Sequence, residues 1–299
     1  MSAGAKKFRT LLNSNEFIVS PGIYDGYSLR LAEAAGFKTA CTTGAGISNA
    51  LLGIADIGVM GLTENVNHCR NLARSVSIPL TADADNGYGN PVNVFHTVQL
   101  FEEAGVAGVN IEDQVSPKRC GHMPGKDVID MAEMVKKIEA ACLARKDDNF
   151  VIIARTDSIA LEGIEGAVKR AKAYAKAGAD MLFPDAVRSE DDIKRIVDAA
   201  GIPVSINMGF GIRQRPTTPL IPLPRLKELG VRRISLPRML PAAAIKAMQT
   251  ALRIMREVME TGVPVDRQDL LCGIEDIMQL MGYSEMRALE KKLTTLNPE

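Results

Sequence analysis

No charge of either sign is in surplus, since 36 lysines and arginines face 36 aspartates and glutamates. The chain therefore has no global basic field of the kind that holds nucleic acid or an anionic membrane, and any positive charge that matters must be local. It also lacks a run of about 18 apolar residues, and residues 1–15 are charged without the continuous apolar stretch of a signal peptide. Membrane spanning and secretion are not expected. Cysteine is sparse and odd in number: Cys41, Cys69, Cys120, Cys142 and Cys272 show no close pairing. Neither a disulfide framework nor a zinc site follows from that spacing, and reduced thiols fit a cytoplasmic enzyme. No nucleotide-binding glycine fingerprint follows the first apolar run.

What is present is the composition of a well-cored globular protein, 46% hydrophobic and 24% charged over 299 residues. Short apolar, β-branched runs recur at Phe17–Ser20, Phe37–Thr42, Pro79–Asp83, Gly108–Ile111, Val151–Ala154, Met181–Phe183, Pro203–Ile206 and Arg233–Leu236. Amphipathic stretches such as Glu133–Arg145 and Glu165–Ala177 lie between them, with apolar residues at helical spacing. Gly36, Gly105, Gly178, Gly201 and Gly230 each precede a strand, where a helix ends in the left-handed conformation that glycine accepts. Eight parallel βα units predict an α/β fold closed as a (β/α)8 TIM barrel. The whole chain, 1–299, reads as one barrel domain. Helical patterns over Pro241–Gly262 and Asp266–Leu296 exceed what one barrel layer needs. Residues 241–299 therefore read as a helical arm that packs on another subunit or folds back on its own barrel. Its methionines (Met239, Met248, Met255, Met259, Met278, Met281) sit at helical spacing, as packing residues do.

Acidic residues gather at the strand ends, where a barrel builds its site. Asp83 and Asp85, two apart in "ADADNGYGN", point to one face and repel unless a cation lies between them. The fourth strand adds Glu112 and Asp113, and Asp56 is within reach through water. Hard oxygen donors favour Mg²⁺, with Mn²⁺ as a substitute; the plainer reading is that these acids cap helices. The loop "SPKRCGHMPGK" carries Lys118, Arg119, Cys120, Gly121 and His122. A thiol flanked by cations can exchange a proton near neutral pH. Without the neighbouring acids it would read as an ordinary polar loop. Backbone N–H groups of Thr42, Thr43, Gly44, Ala45 and Gly46, after the second strand, are placed to cradle a carboxylate, or form a plain glycine turn. Arg155 is set to pair a carboxylate bidentately, in competition with a salt bridge to neighbouring acids. Asp185 and Asn207 end strands six and seven and face the same mouth. His68 and His96 fall inside helical patterns and are assigned no role.

With "ADADNGYGN", "IEDQVSPKRCGH" and "VIIARTDS" in this order, the chain resembles the isocitrate lyase / phosphoenolpyruvate mutase superfamily along essentially its whole length. The Lys-Arg-Cys-Gly-His motif is similar to the carbon–carbon lyase branch, of 2-methylisocitrate and 2,3-dimethylmalate lyases, with oxaloacetate hydrolase as a cousin. The resemblance implies a barrel with its C-terminal helix swapped between subunits and a homotetramer built as a pair of dimers. It implies Mg²⁺ held directly by Asp83 and through water by Asp56, Asp85 and Glu112. Thr43, Gly44 and Ala45 take the place of the segment that binds the pyruvoyl carboxylate, and Arg155 that of the substrate arginine. Cys120 takes the place of the acid that protonates the enolate carbon, with Lys118, Arg119 and His122 on its mobile loop. Tyr24 and a metal-bound water are both candidates for the base.

Two departures bear on the substrate. Methylisocitrate-cleaving members carry glutamate shortly after the strand-seven asparagine, whereas "INMGFGIRQRPTTP" has none; they also carry glutamate where this chain has Asp185. Their arginine beyond strand eight stands at a different offset from Arg238, and Arg213 and Arg215 are available to replace lost contacts. The expected activity is retro-aldol cleavage of a small 2-hydroxy di- or tricarboxylate through an enolate. An oxaloacetate hydrolase or decarboxylase is the alternative, and a catalytically silent metabolite-binding barrel the non-enzymatic one.

Overall fold

The structure, a computed structural model, describes residues 2–121, 123, 125–213 and 216–294. All eight predicted strands form: β1 Ile18–Ile23, β2 Ala40–Thr42, β3 Leu80–Asp83, β4 Gly108–Glu112, β5 Val151–Thr156, β6 Met181–Pro184, β7 Ser205–Asn207 and β8 Arg233–Leu236. They run parallel in the order β6-β5-β4-β3-β2-β1-β8-β7, and a parallel bridge between Leu182 and Val204 closes β6 on β7. The result is a TIM barrel. Registers such as Asp83↔Asn110 and Glu112↔Arg155 bring the polar strand ends to one rim.

The helices between strands follow their sequence signals. In Glu190–Ala200, Ile193, Ile196 and Ala200 are buried at helical spacing, and the Ser189 hydroxyl accepts from the Asp192 amide at 3.1 Å. Three acids in the first turn oppose the positive end of the helix dipole. All five glycines expected at helix ends have positive φ, between 65° and 103°. The N-terminal helix Ala3–Asn13 closes the other end of the barrel: Phe8 and Leu12 pack inside it against Ile18, Ala107, Val151, Ile153, Met181 and Phe183. Each such side chain contributes about 1.5–3 kcal/mol by leaving water.

After β8 the expected helices are present with altered bounds. Met239–Thr261 is one long helix with no buried residue, and Met248, Leu252, Met255 and Met259 are all exposed on it. The stretch from Asp266 is not helical until Ile274. Helices Ile274–Leu280 and Tyr283–Thr294 follow, the former against Gly26–Ala34, where Arg30 Nη1 donates to the Leu280 carbonyl at 3.4 Å. Asp266–Gly273 reads "DRQDLLCG", where Asp269 pairs with the Arg267 side chain two residues before it instead of supporting a helix face. Among the described residues no helix is long and apolar enough to cross a membrane.

Candidate active site

A small pocket, with a cavity volume of about 80 Å³, opens at the rim, lined by Asp56, Asp83, Glu112, Lys118, Cys120, Arg155, Asp185, Asn207 and Arg238, among others. Its acidic wall is held by main-chain donors. Asp83 Oδ2 accepts from the Gly44 amide at 3.1 Å, and Oδ1 from the Asp85 amide at 3.3 Å and Asn110 Nδ2 at 3.5 Å. A Cβ at position 44 would lie 2.8 Å from Asp83 Oδ2, so a larger residue there would displace that carboxylate. Asp85 takes φ 48° to turn its carboxyl back beside Asp83. Glu112 is buried, and its amide donates to the Asp85 carbonyl at 2.8 Å.

Crowding three carboxylates in a buried wall has a measurable consequence. Burial, Asp83 and Asp56 push the Asp85 carboxyl up to about 6 while Lys118 draws it down. Burial likewise raises Glu112 well above the usual carboxylate range, with Asp157 and Asp83 adding to it and Arg155 and Lys118 opposing. Glu112 Oε1 is buried without a hydrogen-bond partner among the described residues. Such a wall calls for a cation, and the structure supplies one from the loop. Lys118 Nζ lies 2.6 Å from Asp56 Oδ1 and 2.6 Å from Asp85 Oδ1, with only 5% of its side chain exposed. Burial disfavours this ammonium, yet Asp85, Glu112, Asp83 and Asp56 together raise its pKa well above the ordinary lysine value. Oxygen donors with unsatisfied lone pairs fit a hard divalent ion. Among the described residues, however, no three groups already converge as a metal cage.

Arg155 forms the opposite wall, and here the salt-bridge reading prevails. Its Nε and Nη2 grip both oxygens of Asp157 at 2.7 and 3.0 Å, Nη2 reaches Asp185 Oδ2 at 3.2 Å, and Nε lies 3.2 Å from Glu112. The guanidinium face stacks on Phe183 at 5.2 Å. Against the cost of burial, Asp157, Asp185 and Glu112 hold the Arg155 pKa well above its ordinary value. Asp157, in turn, is pulled far below the carboxylate range: burial is overcome by Arg155 and Lys126. Asn207 Nδ2 donates to Asp185 Oδ1 at 3.3 Å, and the Ser235 hydroxyl donates to Asn207 Oδ1. Asp185 and Asn207 thus face the mouth as expected.

The loop carrying Cys120 is stapled at its base by the Gln114–Val128 bridge and by Ile129 N–H donating to Asp113 O at 2.9 Å. Gln114 holds the main chain of Arg119 from both sides, at 2.9 Å each. Lys126 anchors the far arm on Asp157 and on the Gly121 carbonyl. The loop lies over the pocket: a Cβ at Gly121 would fall 2.0 Å from Asp185 Oδ2. Cys120 faces the cavity, its amide donating to the Asp56 carbonyl at 3.2 Å. Its sulfur accepts from Arg238 Nη2 at 3.0 Å.

Several expectations need correction. Lys118 does not flank the sulfur but reaches the carboxylates, and the sulfur's cationic partner is Arg238, 118 positions away. His122 and Arg215 lie outside the described residues. Asp113 is not part of the acidic wall. Neighbouring strand residues face opposite sides, so it turns outward to accept from the Asp157 amide, Arg170 Nη1 and the Tyr174 hydroxyl at 2.9, 3.1 and 2.7 Å. Tyr24 packs against Gly46 and is absent from the pocket lining. Thr43 and Ala45 line the pocket, but the Gly44 amide serves Asp83, and the Thr43 amide serves the Ile23 carbonyl at 3.0 Å. Sequence reasoning missed Asp157, Lys126 and Asn110; Asp157 stood in the quoted "ARTDS", two residues from the arginine it holds.

Comparison with known proteins agrees with this geometry. The family model for phosphoenolpyruvate phosphomutase matches residues 8–256. The chain is 37% identical to a probable 2-methylisocitrate lyase of Corynebacterium glutamicum over 98% of this chain and 93% of the relative. Two solved structures superpose nearly end to end. Oxaloacetate acetylhydrolase in complex with 3,3-difluorooxalacetate has a TM-score of 0.89 at 31% identity, covering 99% of each chain. 2,3-Dimethylmalate lyase has 0.88 at 35%, covering 98% of this chain and 96% of that one. Barrel, acidic rim and cysteine loop thus stand together in a chain that belongs to the phosphoenolpyruvate phosphomutase family, within the superfamily it shares with isocitrate lyase.

Proposed function

We propose that this protein is a Mg²⁺-dependent carbon–carbon lyase that cleaves a small 2-hydroxy di- or tricarboxylate of the 2-methylisocitrate or 2,3-dimethylmalate type. The observation that carries this reading is one pocket with a buried carboxylate wall on one side and a thiol facing it from the covering loop. Asp83 would hold the ion directly, with Asp56, Asp85 and Glu112 reached through water. Mg²⁺, when bound, supplies positive charge for the negative charge that develops on substrate oxygen.

The balance of the reaction assigns the remaining roles. Loss of the 2-hydroxyl proton lets the oxygen's electron pair form the carbonyl of a 2-oxo acid as the adjacent carbon–carbon bond breaks. The bonding pair passes to the carbon of the other fragment, beside its carboxylate, as an enolate. Cys120 gives that carbon a proton, from a position inside the pocket that the loop shields from bulk water. Thr43 and Ala45 border one end of the substrate, while Arg119 and Arg238 offer positive charge to its carboxylates at the other. Arg155 orients Glu112 and Asp185 through its ion pairs and meets the substrate at its pocket-facing edge.

The experiment is a substrate panel: purified protein with Mg²⁺ is given 2-methylisocitrate, 2,3-dimethylmalate and oxaloacetate, and 2-oxo acid release is followed with a coupled dehydrogenase. Release from one of the first two, abolished by EDTA and restored by Mg²⁺ or Mn²⁺, is expected. Consumption of oxaloacetate alone would establish the hydrolase or decarboxylase instead, the reading favoured by the close fold match to the acetylhydrolase. Full turnover without metal would remove the carboxylate site from the mechanism.

The single barrel domain with a C-terminal arm is likewise our reading, and the exposed apolar face of Met239–Thr261 supports an arm that packs on a second copy. Light scattering at micromolar concentration should give a tetramer, and deletion from Asp266 onward should cost solubility. A monomer would end this proposal.

A further inference from the structure

We propose that Lys118 is a resident counter-ion of the carboxylate site, which a divalent ion must displace, so that metal entry and the seating of the Cys120 loop are one coupled event. The inference rests on the metal reading above and adds a competitor to it. Lys118 Nζ makes two ion pairs of 2.6 Å, one to Asp56 and one to Asp85. These are two of the oxygens through which an ion beside Asp83 would be reached. A divalent ion and an ammonium compete for them. Like charges close together in a buried wall repel strongly, and one oxygen of each carboxylate is already paired with the lysine.

The lysine is tied to the loop at both its main chain and its position. Its backbone packs on the segment that bears Asp56, so closely that a Cβ on Gly58 would come within 3.0 Å of the Lys118 amide nitrogen. Two residues on, the Cys120 amide donates to the carbonyl of Asp56 itself. Pulling Lys118 off its carboxylates therefore disturbs the anchor that seats the thiol. Lys118 also lines the pocket, so the displaced ammonium has a place to go: toward the substrate, where it adds a positive charge. In this scheme the metal-free enzyme neutralises its acidic wall with its own side chain and keeps the loop down. A divalent ion frees the lysine and loosens the loop before substrate arrives.

Competition has a calculable cost. If the latched arrangement holds about nine-tenths of the metal-free protein, apparent metal affinity is reduced about tenfold. Mn²⁺ binding is measured by the loss of the free-ion electron paramagnetic resonance signal, for the wild type and for Lys118→Met. The variant should bind about tenfold more tightly, and Mn²⁺ should raise its melting temperature by more than it raises that of the wild type. In a Cys272→Ser background, Mn²⁺ should accelerate alkylation of Cys120 when Lys118 is present and leave the rate unchanged when it is methionine. Lys118→Arg, which keeps the cation, should retain the metal dependence of that rate and shows that the methionine result is one of charge. Equal or weaker Mn²⁺ binding by Lys118→Met, with equal melting shifts, would overturn the inference and leave the metal reading standing. Failure of both proteins to bind Mn²⁺ would overturn the two together.

Discussion

Asp83→Asn should lower kcat/KM roughly 10³-fold or more, a loss on the scale of removing a principal charge-stabilising group from an active site. The substitution is nearly isosteric, so its amide oxygen can still accept from the Gly44 amide, and the fold around β3 is kept. What disappears is the charge on the carboxylate placed to touch the ion. Asp56→Asn tests the ordering of the ligands. Asp56 is an outer partner that also holds Lys118, and loss of such a partner costs about 10–100-fold in metal affinity. Part of that loss would be offset, because removing one of the two carboxylates on Lys118 also weakens its competitor. Mn²⁺ titrations and steady-state rates on both variants, compared with the wild type, decide the matter. Equal losses at the two positions would show that Asp83 has no privileged contact with the ion.

Much of this site was legible because the barrel converts sequence position into geometry by a short repeat. Eight apolar runs, each ended by a helix that stops on glycine or a polar turn, fix which residues reach the rim; Asp83, Glu112, Arg155, Asp185 and Asn207 are all last or next-to-last in their strands, or immediately follow one. The same rule separates Glu112 from Asp113, and applying it strictly would have assigned Asp113 to the outer layer at once. Spacing could not foretell the long side chains that cross between elements. Lys118 reaches away from its neighbour Cys120 because two carboxylates on other segments outweigh local contacts. Arg238 reaches the sulfur from the end of β8. A salt bridge of Arg155 is legible in the sequence, but its partner is not: Asp157 lies beyond the strand end, where the chain turns back and the period of two no longer applies. Cys272 falls within the helical pattern expected from Asp266 onward, yet it lies in the exposed, non-helical stretch before Ile274.

Cys120→Ser should leave substrate binding nearly intact while lowering kcat roughly 10²-fold or more, the reach of a positioned acid–base group. A serine hydroxyl keeps the size of the thiol and can still take the Arg238 hydrogen bond, so the loop has no reason to unseat. It is far too weak an acid to hand a proton to the enolate carbon at the same rate. Thiol alkylation offers an independent measurement, and the structure says how to make it clean. Burial pushes Cys41 up to about 11 and Cys69 up to about 12, which keeps both as unreactive thiols. Burial also raises Cys142. Cys272 is exposed, however, and will react, so the experiment belongs in a Cys272→Ser background. There, one modification at Cys120 should inactivate the enzyme, and bound product should protect it. Arg238→Gln should slow both the alkylation and turnover, since the sulfur loses the charge-assisted donor 3.0 Å away. A Cys120→Ser enzyme with unchanged kcat would remove the thiol from proton delivery. It would favour the oxaloacetate hydrolase or decarboxylase reading, because in those reactions solvent can supply the proton and the loop need only cover the pocket.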